Sequence, residues 1–265
     1  MEHARDDQCI QYGERFAAYY DALIEGDYSY QRYAGYVENI FDKYGVQKGA
    51  LVADLGCGTG TLCVELAFRG YEVIGVDRSP HMLSVARDKS IKSGVPDILF
   101  LEQEIDSIVL NTRAAAFVST IDCVNYITDK KRLRRLFRNV GRFLRPGGLF
   151  IFDISSEFNL STIIGNKFYY KIDDDVCYLW KNRYNKRSKI SESDITFFLR
   201  ERGDIWQRVD EIHRQRAYTP ADIDEAARGS GMELAGMYSF LGFRRPDRSA
   251  KKINFIYTKN VDRCG

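Results

Sequence analysis

Leu51-Val52-Ala53-Asp54-Leu55-Gly56-Cys57-Gly58-Thr59-Gly60 is the stretch that decides the fold. An apolar run carries an acid near its end. Three glycines follow at alternate positions, and a helical pattern begins at Thr61. This is a buried strand turning sharply into a helix. Glycine accepts positive φ and lets a ligand approach the backbone. The turn therefore forms a cradle at the carboxyl end of a strand, where open α/β sheets bind their ligands.

The spacing narrows the ligand. Dinucleotide folds place a third glycine three positions after the second. Here the glycines are Gly56, Gly58 and Gly60, and Asp54 stands beside them. A carboxylate there suits an ammonium better than a pyrophosphate, and no P-loop pattern occurs at this turn. The next apolar run, Tyr71-Glu72-Val73-Ile74-Gly75-Val76-Asp77, also ends in an acid. An acid at that strand tip can accept both hydroxyls of a ribose. Ser79 and Pro80 then supply an N-cap and a first helical residue, so Asp77 has a second possible role as a helix cap.

From Leu51 onward strand and helix patterns alternate, as a parallel sheet requires. Strands are expected at 97–101, 117–121 and 149–154, with a long helix over 129–144 before the Pro146-Gly147-Gly148 turn. Between Phe168 and Arg216 the pattern changes to four aromatic-rich strands, at 168–172, 176–183, 190–199 and 206–214. Helix and strand patterns resume at Thr219-Pro220, Met232–Phe240 and Ile253–Thr258. The expected architecture is α/β: a doubly wound, Rossmann-like, seven-stranded sheet with an antiparallel β cap inserted after the fifth strand. Its parts are an N-terminal helical lid (1–48), a core (49–156), the cap (157–216), and a final helix with an antiparallel strand pair (217–265). The N-terminal helix, from Gln11 to about Tyr44 with an interruption at Gly26-Asp27, carries Tyr12, Phe16, Tyr19, Tyr20 and Leu23 at helical spacing. That stripe is either core or the inner face of a lid.

These segments resemble a class I S-adenosylmethionine-dependent methyltransferase. VADLGCGTG, VIGVDRSPHMLSVAR, FLEQEID, DCVNY and LRPGGLFIFDIS follow in the expected order from Leu51 to about Ser155. Tyr20-Asp21 and Glu211-Ile212-His213 point to the small-molecule branch. The resemblance implies S-adenosyl-L-methionine as cofactor, with S-adenosyl-L-homocysteine as product. It implies that Asp54 and the backbone of Gly56 and Gly58 hold the amino-acid end, that Gly60 belongs to the same cofactor-binding turn, and that Asp77 holds the ribose. Met82 and Ile105 would pack on the rings, Glu104 would accept from the adenine amino group, and Asp122 would lie near the sulfonium. Two positions depart from the family. Glu104 replaces the usual aspartate, and Ala114-Ala115 replaces an aromatic-Asp pair before the fourth strand.

Methyl transfer requires an acceptor held in line and shielded from water, with a group to take its proton where the acceptor is an amine. His213 is the candidate base or orienting residue, with Glu211 on the same strand face two positions earlier. Tyr20 would close over the site from the lid, and Trp180, Phe198 and Arg216 are candidates to line it. Methyl transfer needs no metal, and the three histidines of the chain, His3, His81 and His213, are scattered.

The chain has 265 residues and a net charge of +2, which favours neither a nucleic acid nor a membrane surface as partner. Met1 to Gln8 is polar and lacks a signal-peptide core, so it is expected to fray. Six cysteines without a C-x-x-C pair point to a reducing, cytoplasmic setting. The basic helix 130–145 carries Arg132, Arg134, Arg135, Arg138 and Arg142. It is read as a solvated flank, and an RNA methyltransferase is the alternative. A non-catalytic cofactor-binding protein is a further alternative, opposed by the aromatic-rich cap, and a dehydrogenase is opposed by the glycine spacing. The expected partner is a small-molecule methyl acceptor. The sequence does not specify that acceptor or the oligomeric state.

Overall fold

The computed structural model describes residues 12–24 and 29–261. The expectations for Met1–Gln8, His3, Cys9, Gly26-Asp27 and Cys264 fall outside these residues. Two helices open the described chain, α1 (Glu14–Ile24) and α2 (Tyr30–Tyr44). Gly45 ends α2 in the left-handed conformation, at φ 78°. Then come β1 (Leu51–Leu55), α3 (Thr61–Phe68), β2 (Glu72–Asp77), α4 (Pro80–Lys92), β3 (Leu99–Glu102), β4 (Ala114–Ser119), α5 (Lys130–Phe143) and β5 (Leu144–Ser155). Four antiparallel strands follow: β6 (Phe168–Lys171), β7 (Val176–Asn185), β8 (Ile190–Arg202) and β9 (Ile205–Arg216). The chain closes with α6 (Pro220–Ala227), β10 (Met232–Ser239) and β11 (Lys252–Lys259).

The seven-stranded sheet runs β10-β11-β5-β4-β1-β2-β3. Strands β1 to β5 are mutually parallel, and β11 pairs antiparallel with both β5 and β10. Helices cover both faces, which explains why β1 and β4 are apolar almost throughout. One face packs Phe150, Phe152, Phe255 and Tyr257 against Phe137 of α5, with Phe152 and Phe255 stacked at 5.2 Å. The other packs Val52, Val118 and Ile151 with Ile40 and Phe41 of α2 and Leu62 of α3. The second sheet, β6-β7-β8-β9, is a separate four-stranded meander after the fifth strand. Among the described residues no helix is long and apolar enough to cross a membrane.

Two boundaries differ from the sequence expectation. Strand β4 begins at Ala114, so Ala114 and Ala115 lie inside a fully buried strand. The Pro146-Gly147-Gly148 segment does not separate helix from strand: β5 already starts at Leu144. The pairing shifts from Ala114–Leu144 to Ala116–Leu149, a bulge that absorbs the glycines. Gly148 is required there, because a Cβ would stand 2.9 Å from the Ala115 carbonyl. A π-helical turn at Asn159–Ile164, unmarked in the sequence, links β5 to the meander.

Candidate active site

Two cavities meet at the carboxyl ends of β1, β2 and β4. Asp54, Gly56, Gly58, Asp77, Met82, Glu104 and Ile105 line the first. Its chemistry follows from where the backbone donors go. The N–H groups of Gly56 and Cys57 both donate to the Val76 carbonyl, at 2.7 and 3.0 Å. The Gly58 N–H donates to Asp77 Oδ2 at 2.9 Å. With these three amides spent, the turn does not present the fan of free N–H groups that a phosphate cradle needs. Asp54 Oδ1 is buried without a hydrogen-bond partner, while Oδ2 receives the Cys63 thiol at 3.4 Å. Burial pushes the Asp54 carboxyl up to about 7. A cation with N–H donors is the group that would complete this carboxylate.

Gly56 has φ 74°, and a Cβ there would overlap Cys123 Sγ, so glycine is needed for Cys123 to form the opposite wall. Gly60 does not face the cavity, contrary to expectation. It lets α3 approach its neighbours, since a Cβ would meet Ala86 Cβ at 2.8 Å and the Phe100 ring at 3.1 Å. Asp77 fills both of its candidate positions. It accepts the Ser79 N–H at 2.9 Å, steadying the start of α4, and it lines the cavity. Met82 is buried against Phe16, Phe197 and Leu199 as well as facing the cavity.

The basic helix needs correction. Arg132 of α5 reaches the wall of the first cavity, where it donates to Glu104 Oε2 at 2.9 Å. It also donates to buried Asp106, at 2.8 and 3.0 Å, joined there by Arg135. Burial raises the Asp106 carboxyl, but these two guanidinium groups outweigh it and hold the carboxyl below its ordinary value. Lys130 pairs with Asp222 and Arg134 with Glu225, both at 2.5 Å. Much of the helix is thus committed to carboxylates.

The second cavity lies between α1, the meander and the strand tips. Phe16, Leu23, Tyr178, Trp180, Ile195 and Phe197 supply its apolar wall. Asp122, Ser155, Asn159, Ser193, Gln215 and Lys252 supply polar groups. Phe197, not Phe198, faces inward, because side chains alternate along β8. Arg216 is not in the lining; it donates to the Thr128 carbonyl at 3.0 Å. Tyr12, Tyr20, Ile121 and Tyr126 border both cavities. Tyr20 is held there by its neighbour: Asp21 pairs with Lys89 of α4 at 2.6 Å and accepts from Thr59 at 2.7 Å.

Asp122 turns into the second cavity, not the first. Gln215 donates to its Oδ2 at 2.5 Å, Lys252 pairs with its Oδ1, and its own N–H donates to Asp153 at 3.0 Å. Ile121 and Asp122 both have left-handed φ, 55° and 50°. Two successive non-glycine residues in that region are costly, and such strain clusters at functional sites.

His213 is 7% exposed, faces the second cavity, and packs edge-on against the rings of Tyr12 and Tyr126. Burial and the charge of Arg78 push its pKa down to about 4, so the ring is neutral at pH 7. Glu211 shares its face, but their closest approach is 3.7 Å, beyond hydrogen-bond length. Glu211 instead accepts the backbone N–H of Tyr12 at 3.1 Å. The group that fixes the imidazole is Tyr126, whose hydroxyl lies 3.2 Å from Nδ1. Tyr126 and Arg132 are the residues that motif reading passed over.

Comparison with known proteins bears on the family and the fold. Residues 52–148 match the family described as methyltransferase domain. The protein YqeM of Bacillus subtilis (strain 168), provisionally named a methyltransferase, is 29% identical over 246 residues, covering 92% of this chain and 96% of its own. A crystal structure of an S-adenosylmethionine-dependent methyltransferase from Clostridium acetobutylicum ATCC 824 superposes with a TM-score of 0.86 at 28% identity, covering 93% of this chain and 98% of the other. At 16% identity, the S-adenosylmethionine-bound amino pentose methyltransferase CalS10 of Micromonospora echinaspora shares the fold, with a TM-score of 0.70 over 97% of this chain and 100% of its own.

Proposed function

Since the chain is a class I S-adenosylmethionine-dependent methyltransferase, we propose that it methylates a nitrogen or oxygen of a small molecule bound in the second cavity. The observation that carries this reading is the shared wall: Tyr12, Tyr20, Ile121 and Tyr126 border both cavities. An acceptor in one is thereby adjacent to a cofactor in the other. The first cavity fits the cofactor by its own chemistry. The unpartnered Asp54 oxygen takes the ammonium, Asp77 takes the ribose hydroxyls, Met82 and Ile105 flank the rings, and Glu104, held by Arg132, stands at the adenine edge. When bound, S-adenosylmethionine supplies a methyl group on a positively charged sulfur.

The chain's task is then to place the acceptor, shed water and manage a proton. Residues 14–24 act as a lid and residues 157–216 as a cap, between them enclosing the second cavity with aromatic rings. Neutral His213 can receive a proton from the acceptor, with its plane fixed by Tyr126. The polar floor orients the acceptor from the other side. An RNA substrate loses its main support, because Lys130, Arg132, Arg134 and Arg135 are neutralised by carboxylates. The free thiols Cys57, Cys63, Cys123 and Cys177 suit a reducing cytoplasm.

The test is a panel of small amines and hydroxyl compounds, alongside bulk RNA, with release of S-adenosylhomocysteine as readout. We expect turnover with a member of the small-molecule panel. His213→Ala should cut that turnover about a hundredfold if the residue takes the proton, leaving cofactor affinity unchanged. Methyl incorporation into RNA alone would overturn the substrate class. Joint loss of cofactor binding and turnover would remove His213 from the acceptor site.

A further inference from the structure

Strand β6 is an edge of the meander with no strand beyond it among the described residues, and it carries an unusual load for an edge. Phe168 is 57% exposed, Tyr170 66% and Ile172, just past the strand, 79%. All three alternate onto one face. It is the outer face, because Tyr169, between them, packs on Trp180 of the second cavity at 5.5 Å. Leu179 of β7, paired with Tyr170 and 45% exposed, extends the patch. Exposed edges of this kind are normally blunted by charge, proline or a covering element.

The direction of the free backbone groups can be derived. The Asn182 N–H donates to the Lys167 carbonyl at 2.9 Å, so Lys167 faces β7. In an antiparallel ladder, residues alternate between facing one neighbour and the other. Tyr169 and Lys171 therefore also face β7, while Phe168, Tyr170 and Ile172 turn their N–H and C=O groups outward.

We propose that this edge pairs with β6 of a second copy of the chain, joining two meanders into one eight-stranded sheet about a twofold axis at Tyr170. The register follows from the sequence Lys167-Phe168-Tyr169-Tyr170-Lys171-Ile172-Asp173. An antiparallel twofold can pass through an outward-facing residue, Phe168, Tyr170 or Ile172, or through one that faces β7, Tyr169 or Lys171, since ladders alternate the two kinds of pair. Centred on Tyr170, Phe168 meets Ile172, Tyr170 meets itself, and Lys167 meets Asp173 on the other face. Apolar thus pairs with apolar, and opposite charges pair at both ends. Centred on Phe168, Tyr170 would face Asn166; centred on Ile172, it would face Asp174. Centred on Tyr169, Lys167 would face Lys171, and centred on Lys171, that lysine would face its own copy, so both set like charges together. Charge complementarity therefore selects a second copy as occupant, in one register, and the interface is isologous as a closed dimer requires.

Sedimentation equilibrium on the full chain tests this, with circular dichroism and thermal melting as controls for folding. The wild type is expected at twice the mass of one chain. Tyr170→Lys sets two ammonium groups on the axis and should weaken the dimer about tenfold or more. Lys167→Asp and Asp173→Lys should each weaken it, and combining the two should restore it. Both of those side chains are exposed, so the charge swap decides even if Tyr170→Lys does not fold. A monomeric wild type, a dimer indifferent to Tyr170→Lys, or a double swap no tighter than the single variants would each overturn the proposal.

Discussion

Replacing Asp54 with asparagine should move stability and cofactor affinity in opposite directions. In the free protein, burial raises this carboxyl from 3.8 to about 7. Between those values the folded state holds a proton that the unfolded state has released, so stability falls as pH rises through the window. At about 1.4 kcal/mol per pH decade, the ionised carboxyl costs the free protein about 4 kcal/mol at pH 8. Asparagine removes that cost and can still accept the Cys63 thiol now at Oδ2. The free variant should therefore melt higher than the wild type at alkaline pH and show little difference below about pH 4. Binding behaves oppositely. The carboxylate–ammonium contact is a charge-assisted hydrogen bond, and its loss should weaken S-adenosylhomocysteine about ten- to hundredfold. Below about pH 7 the wild type must shed a proton to bind, so its affinity should fall about tenfold per pH unit. Asp77 lines the same cavity, and burial raises its carboxyl too. Any slope it causes will persist in the variant, so the difference between the two curves isolates Asp54. Paired melting and calorimetric titrations across this range provide the assay. A variant that melts lower at alkaline pH, or one that keeps wild-type affinity and slope, would refute the reasoning.

Other consequences are simpler. Arg132→Gln should weaken S-adenosylhomocysteine up to about fivefold, because Glu104 loses a partner in a half-exposed pair worth at most about 1 kcal/mol. Arg138→Gln should change nothing in the same titration, and equal effects would return the basic helix to a single electrostatic surface. Gly56→Ala should lose about 1–3 kcal/mol of stability in urea denaturation, from the left-handed backbone together with overlap at Cys123. Adding Cys123→Ala should recover part of that loss, and no recovery would mean that backbone strain accounts for all of it.

The strands were legible because each is apolar over a length only a buried sheet can use, and because Gly, Pro and Ser mark their ends. The four meander strands were found within a few residues for the same reason, with Asn185-Lys186-Arg187-Ser188 and Arg202-Gly203-Asp204 at their turns. What sequence did not reveal were the pairings between distant elements. Arg132 differs from Arg138 only in the acids it meets, Glu104 and Asp106, which lie 28 and 26 positions away. Tyr126 matters through His213, 87 positions on. Glu211 shows the limit of periodicity: alternation put it on the correct face, but the distance and the backbone amide that captures it depend on how the N-terminal segment crosses the meander.

That crossing has a practical outcome. Tyr12 offers its N–H to Glu211 in β9 and receives the Ser79 hydroxyl on its carbonyl at 2.8 Å, at the start of α4. The backbone of this one residue therefore rivets the meander to the nucleotide-side half of the sheet, ahead of the first helix. Shortening the chain past this point removes this tie together with the Tyr12 ring that borders both cavities, and loosens the meander against that half. Versions of the protein shortened past Tyr12 would then lose activity for a mechanical reason as well as a chemical one.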